Sequence, residues 1–174
     1  RQPMRDVALH TLALAMLLAG RLAADPFEIK VYMAPRIAAP VLDGHLDDAG
    51  WQQAPLAGGF ALFGKEEVSE PPTFFRVAFD AENLYLGVQC DEPALKQMVP
   101  EPQPRDAHDV FHGETIEVFV DPAHSHSRYY QFAVNSAASI YDSCGEDPTW
   151  SATVRAAVAM AADGWSLELA VPWR

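Results

Sequence analysis

Positive charge is scarce in this chain of 174 residues, which has 12 Lys and Arg against 24 Asp and Glu. Residues 1–24 carry three arginines and one aspartate, so the acidic excess lies entirely in the rest of the chain. An acidic body repels the phosphates of nucleic acids and of anionic lipids. The composition therefore excludes nucleic-acid binding and favours neutral ligands or cations.

Motifs of catalysis are missing as well. The sequence has no Gly-rich phosphate loop and no EF-hand loop. It contains many acids, but no pair whose spacing marks the two carboxylates of a glycoside hydrolase. We therefore predict a binding domain and not an enzyme.

Cysteine is limited to Cys90 and Cys144. A disulfide between them is possible in an exported protein. The simpler interpretation is one buried strand thiol and one loop thiol, because nothing in the sequence brings the two residues together. Both interpretations stay open at this point.

Long hydrophobic runs are absent apart from residues 7–20, a stretch too short and interrupted to predict a membrane span. Arg5 precedes this stretch, and the small residues Ala23 and Ala24 follow it, as in a secretory signal peptide. We therefore predict a signal peptide at 1–24, a linker at 25–36 and a secreted or periplasmic protein. An amphipathic packing helix is the alternative.

From Asp25 onward the apolar residues recur mostly with a period of two. "TFFRVAFD" and "LYLGVQC" flank the turn "AEN", and "ETIEVFVDP" and "RYYQFAVN" flank "AHSHS". Asp163-Gly164 is a hairpin signal between "ATVRAAVAMA" and "WSLELAVPW". This pattern predicts an all-β fold, an antiparallel two-sheet β-sandwich. By propensity alone, the alanine-rich strand could instead be a helix.

The same alternation predicts the core and its surroundings. Residues 91–112 form a long proline-rich loop, because dense proline breaks strand ladders. The side chains predicted to be buried between the sheets are Phe79, Leu86, Val118, Phe132 and Leu167.

The stretch "VLDGHLDDAGWQQAP" precedes this β-rich region. Asp43-Gly44 predicts a turn. Asp47 or Asp48 is expected to cap a single helical turn. We expect Trp51, in that turn, to fill one end of the sandwich or simply to pack in the core.

Taken in order, these segments resemble carbohydrate-binding module family 9, whose relatives have the DOMON-like β-sandwich. The segments that carry the resemblance are "LDGHLDDAGWQQAP", "FRVAFDAENLYLGVQCDEP", "HGETIEVFVDP", "YYQFAVN", "YD" and "DGWSLELAVPW", within residues 37–174. The resemblance implies a non-catalytic, monomeric module in a secreted, polysaccharide-acting multidomain protein. It also implies structural calcium, for which acid-rich turns supply oxygen ligands.

The resemblance also implies where a sugar is held. Members clamp it between two aromatic residues, and Phe111 occupies the first of these positions. The second comes from a region after Arg174, so we expect the C-terminal part of the module to be missing. An acidic strand residue of the family is present as Glu117, whereas Ala133 replaces its arginine.

Strand alternation predicts a polar row beside this aromatic residue. Glu117 and Gln131 project from one face, with Tyr129 and Asn135 in the same row and Trp150 at the rim. Together with Phe111, these residues predict a site for a neutral poly- or oligosaccharide, which needs an aromatic plate and planar polar groups. The alternative is a solvated outer face.

Two other functions compete with sugar binding. Some DOMON-like sandwiches hold haem b, and Met98, His108 and His112 are candidate ligands. A structural adaptor domain of a surface protein is the other. His124 and His126 could bind a metal ion, although two histidines in a turn are more often simply exposed.

Overall fold

The computed structural model describes residues 31–65, 67–94, 101–145, 147 and 149–174. Residues 33–174 form one unit by their contacts. The predicted signal peptide, residues 25–30 of the predicted linker and Met98 lie outside the described residues.

Eight strands run through the described residues, and all neighbours within each sheet are antiparallel. One sheet has five strands in the order β1-β2-β3-β8-β7, and the other has three in the order β4-β5-β6. The strands are β1 (Ala57–Gly58), β2 (Thr73–Phe79), β3 (Asn83–Asp91), β4 (Thr115–Val120), β5 (Tyr130–Asn135), β6 (Ile140–Cys144), β7 (Arg155–Met160) and β8 (Gly164–Pro172). The prediction of an all-β, two-sheet antiparallel sandwich is confirmed.

The described residues also include two short 3-10 helices, Trp51–Gln53 before β1 and His108–Phe111 between β3 and β4. No helix within the described ranges is long and apolar enough to cross a membrane.

The alanine-rich segment forms strand β7 and not a helix. It pairs along its length with β8, and the turn is closed by the Ala161 N–H, which donates to the Gly164 carbonyl at 2.8 Å. Pairing with a buried neighbouring strand outweighs a helix propensity that is worth only tenths of a kcal/mol, about 0.7 at most, per ordinary residue.

The main core lies between the two sheets. Phe132 and Leu167 are buried in it, and Leu86 and Val118 pack against it while partly exposed. Phe79 departs from the prediction, because it is only partly buried and outside this cluster. It is the last residue of β2, where the strand leaves the sheet.

A second apolar cluster covers the outer face of the five-stranded sheet. Trp51 and Ile37, from the segment before β1, pack there with Ala78, Tyr85 and Ala170 of the strands. Trp51 is fully buried against this outer face, so the prediction that it fills one end of the sandwich is wrong. Both faces of the five-stranded sheet are therefore covered.

The predicted aspartate cap is also wrong. Gly50 precedes the 3-10 helix at Trp51, and no side chain caps it. Instead, Asp48 Oδ2 accepts a hydrogen bond from the Val41 N–H at 2.8 Å, and the Asp48 carbonyl accepts one from the Trp51 N–H at 3.0 Å. The Asp48 carboxylate thus stabilises the segment before the helix.

A buried carboxylate on β8 holds this covering segment in place. Glu168 is fully buried, and its Oε1 accepts a hydrogen bond from Trp51 Nε1 at 2.8 Å. Its Oε2 accepts the backbone N–H groups of Asp43 and Gly44, both at 2.8 Å. Three donors therefore satisfy a charge that would be costly to bury alone.

The turn at Asp43-Gly44 requires glycine. Gly44 has φ +90, and a Cβ there would lie 2.4 Å from the Ala159 backbone nitrogen. Such close approach of two backbones is possible only without a side chain. The Asp-Gly pair, the acids and the tryptophan of the opening stretch therefore serve to attach that stretch to the sheet.

Both cysteines are free and buried. Cys90 belongs to the core between the sheets, where burial raises the pKa of its thiol to about 11. The two thiols are not joined, but the expected loop thiol is wrong, because Cys144 is the last residue of strand β6.

Candidate ligand-binding face

The outer face of the three-stranded sheet carries alternate side chains of β4, β5 and β6. Two cross-strand rows define it: Glu117, Ala133 and Tyr141 form one, and Phe119, Gln131 and Ser143 form the next. We use the term platform for the set Phe111, Glu117, Phe119, Tyr129, Gln131, Tyr141 and Ser143.

The centre of the platform is polar. Gln131 Nε2 donates a hydrogen bond to Glu117 Oε2 at 2.8 Å. The Ser143 hydroxyl in turn donates to Gln131 Oε1 at 3.4 Å, a longer contact. These bonds orient the amide and the carboxylate, and Glu117 stays exposed. The arrangement presents two planar polar groups to solvent in a defined geometry.

Aromatic side chains stand on both sides of this polar centre. The ring centroids of Phe111 and Tyr141 are 4.9 Å apart, and those of Phe119 and Tyr129 are 5.3 Å apart, both edge to face. Phe119 is 56% exposed and Tyr129 is 37% exposed. Exposed apolar rings beside fixed polar groups are typical of a ligand-binding surface.

The 3-10 helix His108–Phe111 positions Phe111. Its Val110 is fully buried, and the Val110 carbonyl accepts a hydrogen bond from Thr115 Oγ1 at 2.8 Å. The helix packs against β5 and β6, which places Phe111 over Tyr141. The long loop between the sheets therefore contributes one fixed element to the platform.

Four of the six predicted site residues meet here, namely Phe111, Glu117, Tyr129 and Gln131. Asn135 is 5% exposed, and its Oδ1 accepts the N–H groups of Ala137 and Ser139 at 3.0 Å, so it stabilises the turn after β5.

Trp150 lies on the core side of the same sheet. Its ring centroid is 5.0 Å from that of Tyr130 and 6.3 Å from that of Phe132. Those two side chains belong to the core layer between the sheets. The structure therefore does not bring Trp150 to the rim of the platform.

Phe119 and Tyr141 are the platform aromatics that sequence reasoning did not single out. Phe119 is two residues after Glu117 along β4 and therefore lies on the same face, which the alternation in the sequence could have shown. Tyr141 reaches the face only through the pairing of β6 with β5, which the sequence does not specify.

In two of the acid-rich turns, those at Asp80 and Asp121, the carboxylates accept hydrogen bonds from the turn itself. Asp80 accepts the N–H groups of Glu82 and Asn83 and the Tyr85 hydroxyl. Desolvation raises the pKa of Asp80, but these bonds outweigh it and lower that pKa below its ordinary value. Asp121 is bonded and shifted in the same way. In the part of the chain that the structure describes, no three acidic, His or Cys side chains could hold a metal ion together. The carboxylates of Asp80 and Asp121 therefore already have partners within their own turns.

The described histidines named for haem lie on the surface. His108 and His112 are exposed, their ring centroids are 6.1 Å apart, and His112 Nδ1 contacts Asp109 Oδ1 at 3.5 Å. Axial haem ligands need a pocket around the macrocycle. Nothing in this geometry favours haem.

The outer face of the five-stranded sheet is covered, whereas the three-stranded sheet is covered in part by the helix that carries Phe111 and presents polar and aromatic side chains beside it. The family model described as "Carbohydrate family 9 binding domain-like" matches residues 42–174, most of the chain. The chain belongs to this family, which is a family of carbohydrate-binding modules.

Solved structures show the same fold. A family 9 carbohydrate-binding module from Caldicellulosiruptor kristjanssonii in complex with cellotriose has a TM-score of 0.58 and 15% identity, covering 80% of this chain and 65% of that one. The module from that organism in complex with glucose has a TM-score of 0.58 and 14% identity, covering 82% and 69%. A candidate carbohydrate-binding protein from Bacteroides uniformis has a TM-score of 0.61 and 16% identity, covering 82% and 72%. No curated protein matches the chain significantly.

Proposed function

We propose that the chain binds a neutral oligosaccharide on the platform. The observation that carries the proposal is the hydrogen-bonded Gln131–Glu117 pair between two aromatic pairs on the outer face of the three-stranded sheet. The sugar ring faces stack on the aromatic side chains, and the hydroxyls bind the amide and the carboxylate.

The shape of the platform favours a chain of sugars over a single ring. Tyr141 pairs across the sheet with Ala133, which lies four residues after Tyr129. At the usual rise of a strand, four residues span roughly 13 Å. That length accommodates more than one pyranose ring. A flat β-linked glucan fits such a strip, and the related modules are described with cellotriose and glucose.

Charge and exposure set the expected ligand and affinity. The net charge of −12 disfavours anionic glycans. The strip is open, and phenylalanine is a smaller plate than tryptophan, so we expect a Kd on the order of 0.1–1 mM, or about −4 to −5.5 kcal/mol.

We further propose that the module is exported and belongs to a longer, polysaccharide-acting protein. The pattern of residues 1–24 supports export. N-terminal sequencing of protein from a secreting host should give a start near Asp25, and an intact N-terminus would contradict export.

The site is tested by calorimetric titration with cellotriose, xylotriose, mannotriose and glucose. Wild type should bind at least one trisaccharide more tightly than glucose. Glu117→Ala removes a charge-assisted hydrogen bond worth roughly 1.5–3 kcal/mol, which would abolish measurable binding. Phe119→Ala should weaken trisaccharide binding more than glucose binding.

Glu67→Ala is the matched control, because Glu67 is exposed in the connection between β1 and β2 and its removal changes the charge equally. It should bind as wild type does. If wild type binds none of the sugars, or Glu117→Ala binds normally, the face is only solvated and the adaptor function should replace sugar binding.

A further inference from the structure

We propose that His124 and His126 form a binding site for a divalent transition-metal ion, represented by Zn²⁺. Both lie in the turn that joins β4 to β5, and their Nε2 atoms are 3.4 Å apart. The ring centroids are 4.4 Å apart. This site is separate from the platform and does not rest on the proposed function.

The separation of the two nitrogens suits a shared metal ion. With Zn–N bonds of about 2.0–2.1 Å, two tetrahedral ligands on one ion lie about 3.4 Å apart. The 3.4 Å between the two Nε2 atoms matches this spacing, and it is also within reach of a long hydrogen bond. The spacing therefore allows a shared ion but does not by itself require one.

The turn holds the backbone of the two histidines in place without a metal ion. Asp121 Oδ2 accepts the His126 N–H at 2.7 Å, and Asp121 Oδ1 accepts the Ala123 N–H at 3.2 Å. Ser125 Oγ accepts the Arg128 N–H at 3.1 Å. The fold thus already meets the backbone part of the ordering cost of bringing the ligands together.

The backbone at both histidines is in an uncommon conformation. His124 has φ 50 and His126 has φ 55, in the left-handed region that non-glycine residues seldom occupy. Such conformations cost energy and cluster at ligand sites. Two of them in one short turn, each placing an imidazole toward the other, support a ligand-binding role.

The chemistry of the donors selects the class of ion. Imidazole nitrogen suits Zn²⁺, Cu²⁺ and Ni²⁺, whereas Ca²⁺ and Mg²⁺ prefer oxygen. Among the described residues no third His, Cys, Asp or Glu joins the pair, so water or a donor from another molecule completes the coordination. The acidic body attracts cations generally but does not create this selectivity.

Zinc chloride titrated into the whole chain tests the site, by calorimetry and by NMR of the histidine ring protons. We expect one bound ion per chain and shifts confined to His124 and His126. His124→Asn and His126→Asn should each reduce the affinity roughly tenfold or more, because one of two protein ligands is lost. Asparagine tolerates the left-handed conformation, so the turn should remain folded.

His112→Asn is the matched control, since its pair with His108 has ring centroids 6.1 Å apart. It should leave zinc affinity unchanged. Thermal unfolding with chelator should be the same for all variants, which shows that they fold. The proposal is overturned if wild type binds no zinc, if the turn variants bind it as wild type does, or if His112→Asn is the variant that loses it.

Discussion

Each sheet places one glutamate on its outer face, and the two side chains have opposite surroundings. Glu168 on the five-stranded sheet is fully buried beneath the segment before β1 and accepts three hydrogen bonds. Glu117 on the three-stranded sheet is exposed and accepts one from Gln131. The same residue type is a structural anchor in one place and an available ligand-binding group in the other. The covering segment makes the difference.

Burial of the five-stranded sheet on both sides leaves the other sheet free to bind. Trp51 fits closely over Gly87, where an added Cβ would lie 2.7 Å from Leu46 Cδ2 and 3.3 Å from the indole. Among the described residues, no comparable cover lies over Phe119 and Tyr129, which are 56% and 37% exposed. Close packing therefore covers one sheet, whereas the other keeps exposed aromatic surface.

The largest expected effect is that of Glu168→Ala. Three donors would lose their acceptor in a buried site, so the free energy of unfolding should fall by about 3–5 kcal/mol. Urea denaturation followed by tryptophan fluorescence measures this. Glu168→Gln, which keeps the volume and one acceptor oxygen, should lose less. A loss below about 1 kcal/mol for Glu168→Ala would show that the carboxylate is not the anchor.

Trp51→Phe should have an intermediate effect. It removes the indole N–H that donates to Glu168 and leaves a small void, for a loss of about 2–3 kcal/mol in the free energy of unfolding. Trp173→Phe is the control, because Trp173 is 52% exposed and should change stability by less than about 0.5 kcal/mol. Equal losses in the two variants, measured by urea denaturation, would contradict the comparison.

Glu117→Ala should have the smallest effect on stability, less than about 0.5 kcal/mol, because its side chain is exposed. The same urea experiment measures it beside the sugar titration, in which this variant should fail. A loss above about 1 kcal/mol would mean that Glu117 also holds the sheet together, and the contrast with Glu168 would then not stand.

Alternation of apolar residues was enough to predict the strands and most of the core, because side chains of a strand point to opposite faces in turn. It was not enough to place Trp51, since β3 and β8 carry apolar residues on both faces, as in Tyr85 beside Leu86 and Leu169 beside Ala170. When both faces of a strand are apolar, the alternation of its residues does not show which face a separate segment covers.

For the site, parity correctly joined Glu117 and Gln131, which lie on adjacent paired strands. It did not place Trp150, which follows a loop without periodicity, or reveal that the Asn135 side chain caps its own turn. Both depend on contacts formed only once the chain has folded. The 3.4 Å approach of His124 and His126 depends on the turn conformation, which a spacing of two residues does not specify.

The position of Glu168 along the chain also governs when the fold can be completed. Its partners Trp51, Gly44 and Asp43 are 117, 124 and 125 residues earlier, and β8 lies between β3 and β7 in its sheet. During synthesis the covering segment emerges first but has nowhere to dock until β8 exists. Its apolar side chains and the unpaired edge of β3 stay uncovered in that interval, when association with other chains competes with folding. Such distant contacts predict slow folding, on the scale of milliseconds to seconds.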